Sequence, residues 1–197
     1  MSESPIVELV FKIAGDLIPI DHGYPLYSGI SHIIPELHDL QNCQISKING
    51  IQSVSGMLNL TSSSCMVMRL ESTHIPLALK LAGKKVDING QIIQFGIPQT
   101  CLIQPASILF SRIVLIKGFT EPDTFKDALE RQLIHKQITN LEIEIQNRKI
   151  MKMKEKKLVG FSVFLRKIKP EDSVIIQSEG LGGKHKMGCG VFLKGRE

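Results

Sequence analysis

The stretch ILFSRIVLIKGFTEPDTFKDALERQL, residues 108–133, decides the fold that this sequence predicts. Its apolar first part, residues 108–116, is typical of a buried strand, which Lys117-Gly118 ends. Thr120-Glu121-Pro122-Asp123 then predicts a helix start, because it offers a capping residue, a proline in the first turn and acids at the positive end of the helix dipole. The stretch therefore predicts a strand followed at once by a helix.

The same order of elements is predicted twice along the chain. An apolar strand at Ile6–Ile13 precedes a helix that begins near Tyr24, and Asn89-Gly90 forms the turn of a later hairpin. In the second half, Glu142–Met153 and Leu158–Ile168 alternate as two strands between helices. This repeated order predicts an α+β chain of two tandem ferredoxin-like (RRM-like) βαββαβ modules, spanning residues 1–104 and 105–197.

The positive charge of the chain is concentrated in its second half. Residues 1–100 contain 6 Lys or Arg and 8 Asp or Glu, a net charge of −2, whereas residues 101–197 contain 18 and 11, a net charge of +7. A basic surface of this kind favours a nucleic acid or another anionic surface as the partner. The overall content, 43% hydrophobic and 22% charged residues, is that of an ordinary soluble globular protein.

Several other classes of protein are not indicated. The four cysteines show no C-x-x-C spacing, which predicts reduced thiols in a cytoplasmic protein and no zinc site. None of the six histidines has H-x-x-x-H or H-E-x-x-H spacing, so no metal is predicted. The N-terminus has acidic Glu3 and Glu8 and no basic n-region, and no apolar run could span a bilayer, so neither a signal peptide nor a membrane partner is predicted.

A glycine-rich stretch near the C-terminus predicts an anion site. Its backbone N–H groups could form a concavity for a phosphate, with Lys184, His185 and Lys186 beside it. It is not a nucleotide-triphosphate loop, because His185 follows Gly183-Lys184 and the stretch runs from a helix into a strand. No nucleotide cofactor is therefore predicted, and an RNA backbone is the favoured anion. The five glycines proposed to contact RNA are Gly180, Gly182, Gly183, Gly188 and Gly190.

A second basic run, RKIMKMKEKK at residues 148–157, lies between two predicted strands and should form a protruding hairpin. Its six positive charges and one acid suit a nucleic-acid backbone, and a solvated hairpin is the alternative. Recognition of the shape and phosphates of a structured RNA fits this pattern. The predicted contacts are Arg148, Lys149, Lys152, Lys154, Lys156 and Lys157.

Two histidines are candidates for chemistry on RNA. A histidine can remove the proton of a 2′-hydroxyl, after which the alkoxide attacks the adjacent phosphate, and this route needs no metal ion. His22 precedes the first predicted helix in an Asp-His-Gly turn, and His38 follows Pro35 in the same helical region.

Short motifs occur in order along nearly the whole chain: DHGYPLY (21–27), LH (37–38), LAGK (81–84), RQL (131–133), VGF (159–161), PEDS (170–173) and GLGGKHKMGCGVF (180–192). Together they resemble the CRISPR repeat-processing endoribonucleases of the RAMP superfamily, in the branch first described from a myxobacterial-type system. The glycine-rich loop between a helix and the last strand is the most specific of these motifs.

The resemblance implies metal-independent cleavage of CRISPR precursor RNA within each repeat, leaving a 2′,3′-cyclic phosphate. It implies that the protein stays on the 3′ stem-loop of the guide RNA and joins other effector-complex subunits in a prokaryotic cytoplasm. It adds Arg131 to the predicted RNA contacts.

On the matching positions, His22 is predicted as the general base, with Tyr24 and Tyr27 as helpers, and His38 is the second choice. Ser46 stands where close relatives often have a histidine, so it is a further candidate catalytic residue. The alternative function is a non-catalytic subunit that binds the repeat hairpin within a CRISPR effector complex.

Overall fold

The computed structural model describes residues 4–53 and 55–195, so Glu3 lies outside the described residues. The chain divides into two compact units, Met1–Leu102 (unit 1) and Ile103–Glu197 (unit 2). Unit 1 has one apolar core, and unit 2 has a main core and a small second cluster.

Unit 1 is built around strand β1, whose alternate side chains Leu9 and Phe11 are buried against helix α1 and its neighbours. Leu26 and Ile30, one helical turn apart on α1, supply the facing apolar surface. The elements of this unit are β1 Ile6–Ala14, β2 Leu17–Pro19, α1 Gly23–Ile33, β3 Gln44–Ile45, β4 Ile51–Gln52, β5 Met57–Asn59, β6 Cys65–Glu71, α2 Ile75–Leu79, β7 Lys85–Ile88, β8 Gln91–Phe95 and β9 Gln99–Leu102.

The main sheet of unit 1 has the order β3-β6-β1-β8-β7, and β9 also pairs with β1. Strands β2, β5 and β4 form a separate small sheet. All of these pairs are antiparallel. Short 3₁₀ helices at Pro35–His38 and Ser72–His74 follow α1 and β6.

Unit 2 has the strand order β11-β12-β10-β13, all antiparallel, which corresponds to the 4-1-3-2 order of a ferredoxin-like module. Its elements are β10 Ile108–Val114, α3 Pro122–His135, β11 Glu142–Met153, β12 Lys156–Arg166, α4 Pro170–Glu179 and β13 Leu193–Lys194. The buried face of α3 packs on alternate residues of β12, and this core includes Phe125, Leu129, Leu133, Phe161, Val163 and Leu165.

The structure confirms the predicted fold class of tandem ferredoxin-like modules and corrects several local details. Helix α2 has only five residues and no side-chain cap. Thr120 is not a cap either, since Glu121 lies at the N-cap of α3 and makes no side-chain cap bond. Strands β2, β4 and β9 were not predicted, because each is short and depends on pairing with a distant segment.

Two aliphatic residues on α3 test the core of unit 2. Leu129 is fully buried, whereas Ile134 on the same helix is 64% exposed. Leu129→Ala should lower the free energy of unfolding by about 2–5 kcal/mol, because it removes apolar packing and leaves a cavity. Ile134→Ala should change it by less than about 0.5 kcal/mol. Urea titration of both variants measures the difference, and equal effects would show that α3 does not bury this face.

Candidate functional site

His22 lies at the N-cap of α1 and is completely buried. Its Nδ1 lies 2.8 Å from the carbonyl oxygen of Pro19, and its Nε2 accepts a hydrogen bond from the backbone N–H of Ile48 at 2.9 Å. An imidazole that accepts at Nε2 carries its proton on Nδ1, so the ring is a neutral Nδ1–H tautomer that donates to Pro19. The structure therefore corrects the prediction of His22 as general base: neither nitrogen is placed to take a proton from RNA.

The structure instead brings together Tyr27 and His38. The Tyr27 Oη lies 2.7 Å from His38 Nδ1, and the two rings meet edge to face with centroids 5.6 Å apart. His38 is exposed and Tyr27 is half-buried. When Nδ1 carries the proton and donates to the tyrosine oxygen, Nε2 keeps its lone pair and can act as a base.

Local sequence explains why these two side chains meet. Pro35 has no backbone N–H and cannot continue α1, which ends at Ile33. The chain restarts as the 3₁₀ helix Pro35–His38, which returns His38 to the side of Tyr27 on the second turn of α1.

Tyr24 and Ser46, the two other candidate catalytic residues, lie elsewhere. Tyr24 is half-buried and lines a cavity of about 500 Å³ together with Ser28, His32 and Lys85. Ser46 is 3% exposed, and its Oγ accepts a hydrogen bond from the Val67 N–H at 2.8 Å and donates to the carbonyl of Lys47 at 3.1 Å. These bonds fix Ser46 beside β6, which corrects its proposed place among the reacting groups.

The glycine-rich loop of unit 2 is closed by its own hydrogen bonds. The N–H groups of Gly182 and Gly190 donate to Gln132 Oε1 and to the carbonyl of Ile113, each at 2.7 Å. The N–H groups of Gly180, Gly183 and Gly188 donate to the carbonyls of Ile176, Leu115 and His185. The predicted cradle of glycine N–H groups free for a phosphate is therefore wrong.

Gly182 and Gly190 are required by space and by backbone conformation. A Cβ on Gly190 would lie 1.9 Å from the carbonyl oxygen of Leu181, and one on Gly182 would lie 2.4 Å from that of Leu115. Both residues also have positive φ angles, 65° and 77°. The loop is thus a closely packed structure that presents exposed Lys184 and half-buried Lys186 at the surface.

His185 belongs to the packing of this loop. Burial lowers the pKa of His185, a hydrogen bond to the carbonyl of Leu181 opposes that effect, and the charge of Lys136 lowers the pKa further. A histidine with a lowered pKa is neutral near pH 7, so His185 contributes no positive charge there. Its ring lies against Gly180 and Gly190, 3.0 Å from the position of an added Cβ on either residue.

The basic run forms the end of the β11–β12 hairpin. The strands pair as far as Met153 and Lys156, and Lys154-Glu155 makes the turn. The predicted protruding hairpin is therefore confirmed, and most of the run lies in its two paired strands. Its exposed side chains, Arg148, Lys152, Lys154, Lys156 and Lys157, define with Lys184 what we call the basic surface; Lys149 is half-buried.

A small apolar cluster joins the hairpin to the glycine-rich loop. Met151 of β11 and Cys189 of the loop are both fully buried, with their sulfur atoms 3.3 Å apart. Met187 and Leu158 pack on the same cluster. The two predicted RNA-binding segments are therefore physically connected within unit 2.

Arg131 is exposed on α3, and its guanidinium lies 5.6 Å from the centroid of the Phe119 ring. The next residue, Gln132, is the acceptor for the loop N–H of Gly182, so α3 supports the loop directly. Sequence reasoning missed both Phe119 and Gln132; the motif RQL at residues 131–133 was the available signal.

Neither a metal site nor a membrane segment appears in the part of the chain that the structure describes. No three His, Cys, Asp or Glu side chains there form a group that could hold a metal ion. None of the described helices is both long and apolar enough to cross a membrane.

Comparison with known proteins gives the family. A family model described as Cas6 Crispr matches residues 7–197. A protein named CRISPR-associated endonuclease Cas6, from Myxococcus xanthus strain DK1622, is 30% identical over 189 residues, which are 95% of this chain and 80% of that protein.

Solved structures agree in fold. One named CRISPR associated protein Cas6 matches with a TM-score of 0.66 and 16% identity, over 98% of this chain and 100% of that one. Another, named An RAMP protein binding different RNA substrates, matches with a TM-score of 0.64 and 16% identity, over 95% of this chain and 98% of that one. The resemblance seen in the sequence is confirmed, and the chain belongs to the Cas6 family.

Proposed function

We propose that this Cas6-family protein is an endoribonuclease that binds CRISPR precursor RNA in the prokaryotic cytoplasm and cuts it within the repeat, without a metal ion. The observation that carries the proposal is the contact between Tyr27 and exposed His38 in unit 1. The name of the Myxococcus xanthus relative, an endonuclease, and the basic surface of unit 2 support it.

His38 Nε2 acts as the general base on the 2′-hydroxyl next to the cleaved bond. The resulting 2′-oxygen attacks the adjacent phosphorus, and the bond from phosphorus to the 5′-oxygen breaks. The leaving 5′-oxygen takes a proton from water, and His38 releases to water the proton that it accepted, so the products end in a 2′,3′-cyclic phosphate and a 5′-hydroxyl. A positioned base of this kind contributes about 10²–10⁴-fold to the rate, and no step requires a metal ion.

Tyr27 orients His38 and favours the reactive tautomer. When Nδ1–H donates to the tyrosine oxygen, the proton is fixed on Nδ1 and the lone pair on Nε2. The edge-to-face ring contact restricts rotation of the imidazole as well.

The basic surface of unit 2 binds the 3′ stem-loop of the repeat. Arg148 and four of its lysines lie on a hairpin, and Lys184 lies on the glycine-rich loop. The buried Met151–Cys189 contact joins the two segments, so the charges belong to one connected structure. On this view the N-terminal module, residues 1–104, contains the catalytic residues, and the C-terminal module, residues 105–197, binds the RNA. Retention of the cut stem-loop would let the protein join other effector-complex subunits.

A non-catalytic subunit that binds the repeat hairpin is the second candidate. Ser46 and the buried state of His22 favour it, because neither position supplies an accessible histidine. It predicts tight binding of the repeat without cleavage.

Cleavage of a repeat RNA in excess EDTA tests the proposed activity. We expect the purified protein to cut the RNA at one position, since the chemistry relies on side chains only. A single 2′-deoxy substitution at that position should abolish the cut, because it removes the attacking group. Intact RNA in EDTA would contradict metal independence, and cleavage of the deoxy substrate would contradict the mechanism.

The candidate catalytic pair is tested by single-turnover cleavage rates. His38→Ala should slow cleavage by about 10²–10⁴-fold through loss of the base. Tyr27→Phe should slow it by about 2- to 10-fold through loss of one hydrogen bond.

His32→Ala is the matched control, because His32 is an exposed histidine on α1, the helix that carries Tyr27. The His32 Nδ1 bonds to the Ser28 carbonyl of that helix at 2.7 Å. The control variant should cut at the wild-type rate. A wild-type rate for His38→Ala would remove His38 from the mechanism.

The salt dependence of RNA binding tests the hairpin. Changing Lys152, Lys154, Lys156 and Lys157 together to alanine should weaken binding and reduce the slope of log K against log salt. The reduction should be roughly 0.7–0.9 for each phosphate that the variant no longer neutralises, because fewer counterions are then released from the RNA on binding. Fluorescence anisotropy between about 50 and 200 mM salt measures that slope.

A variant with the exposed lysines Lys84 and Lys126 changed to alanine, both outside the basic surface, is the control and should keep the wild-type slope. If the hairpin variant also kept the wild-type salt slope, the hairpin would lie outside the RNA interface.

A further inference from the structure

A hollow of about 490 Å³ lies along α3 in unit 2, next to the glycine-rich loop. Its floor is apolar and consists of Ile116, Phe119 and the buried Ala128. Small-ligand sites in proteins are typically apolar concavities of about 300–1,000 Å³ with a few polar groups at their edge. The hollow is large enough for one nucleotide and too small for a base-paired stem.

The rim of the hollow is positively charged. Arg131 and His135 are exposed there, and Lys136 is half-buried. Lys136 also forms an ion pair with Glu179, which fixes the ammonium group beside the loop. None of the described residues that line the hollow is acidic, although Glu179 offsets part of the charge of Lys136. Basic side chains thus predominate there, which suits a phosphate.

The wall of the hollow offers a surface for stacking. The guanidinium of Arg131 lies over the Phe119 ring at 5.6 Å from its centroid. Unpaired RNA bases stack on aromatic rings and on arginine planes, whereas paired bases in a stem do not expose their faces. An apolar floor, a stacking pair and a cationic rim together match an unpaired nucleotide.

The hollow is continuous with the glycine-rich loop. Gln132, which lies in its lining, accepts the N–H of Gly182 at 2.7 Å. Lys136 also lines the hollow, and its positive charge lowers the pKa of His185 in the loop. A ligand in the hollow would therefore lie beside the loop that the proposed function assigns to RNA.

We infer that this hollow binds one unpaired nucleotide of the RNA, with its base against Arg131 and Phe119 and its phosphate near His135 and Lys136. The inference rests on the proposed function, since it concerns the same RNA. It adds a site for a single flipped-out or single-stranded nucleotide to the phosphate contacts of the basic surface.

The test combines protein variants with abasic RNAs. Wild-type protein and the variants Arg131→Gln, His135→Ala and Lys126→Ala are titrated with a repeat RNA and with a set of RNAs in which each unpaired nucleotide in turn lacks its base. Lys126 is an exposed lysine of the same helix that lies outside the hollow, so Lys126→Ala is the control for charge.

Arg131→Gln should weaken binding of the intact RNA by about 5- to 150-fold, the range for loss of one stacked base. His135→Ala should weaken it less, and Lys126→Ala should leave it unchanged. One abasic RNA should bind wild-type protein more weakly than the intact RNA does, by a similar factor. The same abasic RNA should bind the Arg131→Gln protein no more weakly than the intact RNA does, because the base and the arginine form the same contact.

Two results would overturn the inference while leaving the proposed function intact. One is an Arg131→Gln protein that binds like wild type. The other is that no single abasic RNA binds more weakly than the rest, which would indicate attraction to the phosphates only, since loss of a base leaves the phosphate charges unchanged. If wild-type protein neither binds nor cuts the repeat RNA, the proposed function itself fails, and the nucleotide site with it.

Discussion

Two hydrogen bonds to the buried ring of His22 hold the start of α1, the helix that carries Tyr27 of the candidate catalytic pair. Nδ1 donates to the carbonyl of Pro19, the last residue of β2, and Nε2 accepts from the N–H of Ile48, 26 residues further along the chain. The ring thus connects the start of α1 to the segments on both sides of the helix. Loss of the ring would leave a buried N–H without its acceptor, at a cost of about 1–3 kcal/mol.

Within this short region, one histidine has a structural role and another is the candidate catalytic base. Both ring nitrogens of His22 contact backbone groups. Tyr27 and His38, in contrast, meet at the surface, because Pro35 ends α1 and the following 3₁₀ helix turns back. In unit 2 the glycine N–H groups are likewise used inside the protein, and the lysines of the basic surface are what remains for RNA. Under the proposed function, binding and chemistry depend on different residues, which mutations can change separately.

The fold was largely predictable because its signals are local. The Asn89-Gly90 hairpin and the bounds of β11 were confirmed, since alternation and turn residues lie within each segment. Strands β2, β4 and β9 were missed because two to four residues carry little periodicity and form strands only when a partner strand is present. Thr120 failed as a cap, since a suitable residue type does not ensure the required side-chain geometry.

The site was harder to predict because burial is a tertiary property. The sequence favoured His22 over His38 as the base; only the distant partner Ile48 and the neighbouring Tyr27 distinguish a structural histidine from an accessible one. The glycine-rich loop shows the same limit, because its acceptors, Gln132 and Ile113, lie about 50 to 77 positions earlier in the chain. Residue type and spacing identified the segments, and packing assigned their roles.

The most direct measurement of the central claim is the mass of the 5′ fragment released when the protein cuts a repeat RNA. Attack by the 2′-hydroxyl, with His38 as base, predicts a 2′,3′-cyclic phosphate on that fragment and a 5′-hydroxyl on the other. A 5′ fragment ending in a 3′-hydroxyl, with the phosphate on the downstream fragment, would show that water attacked the phosphorus, and it would contradict the account.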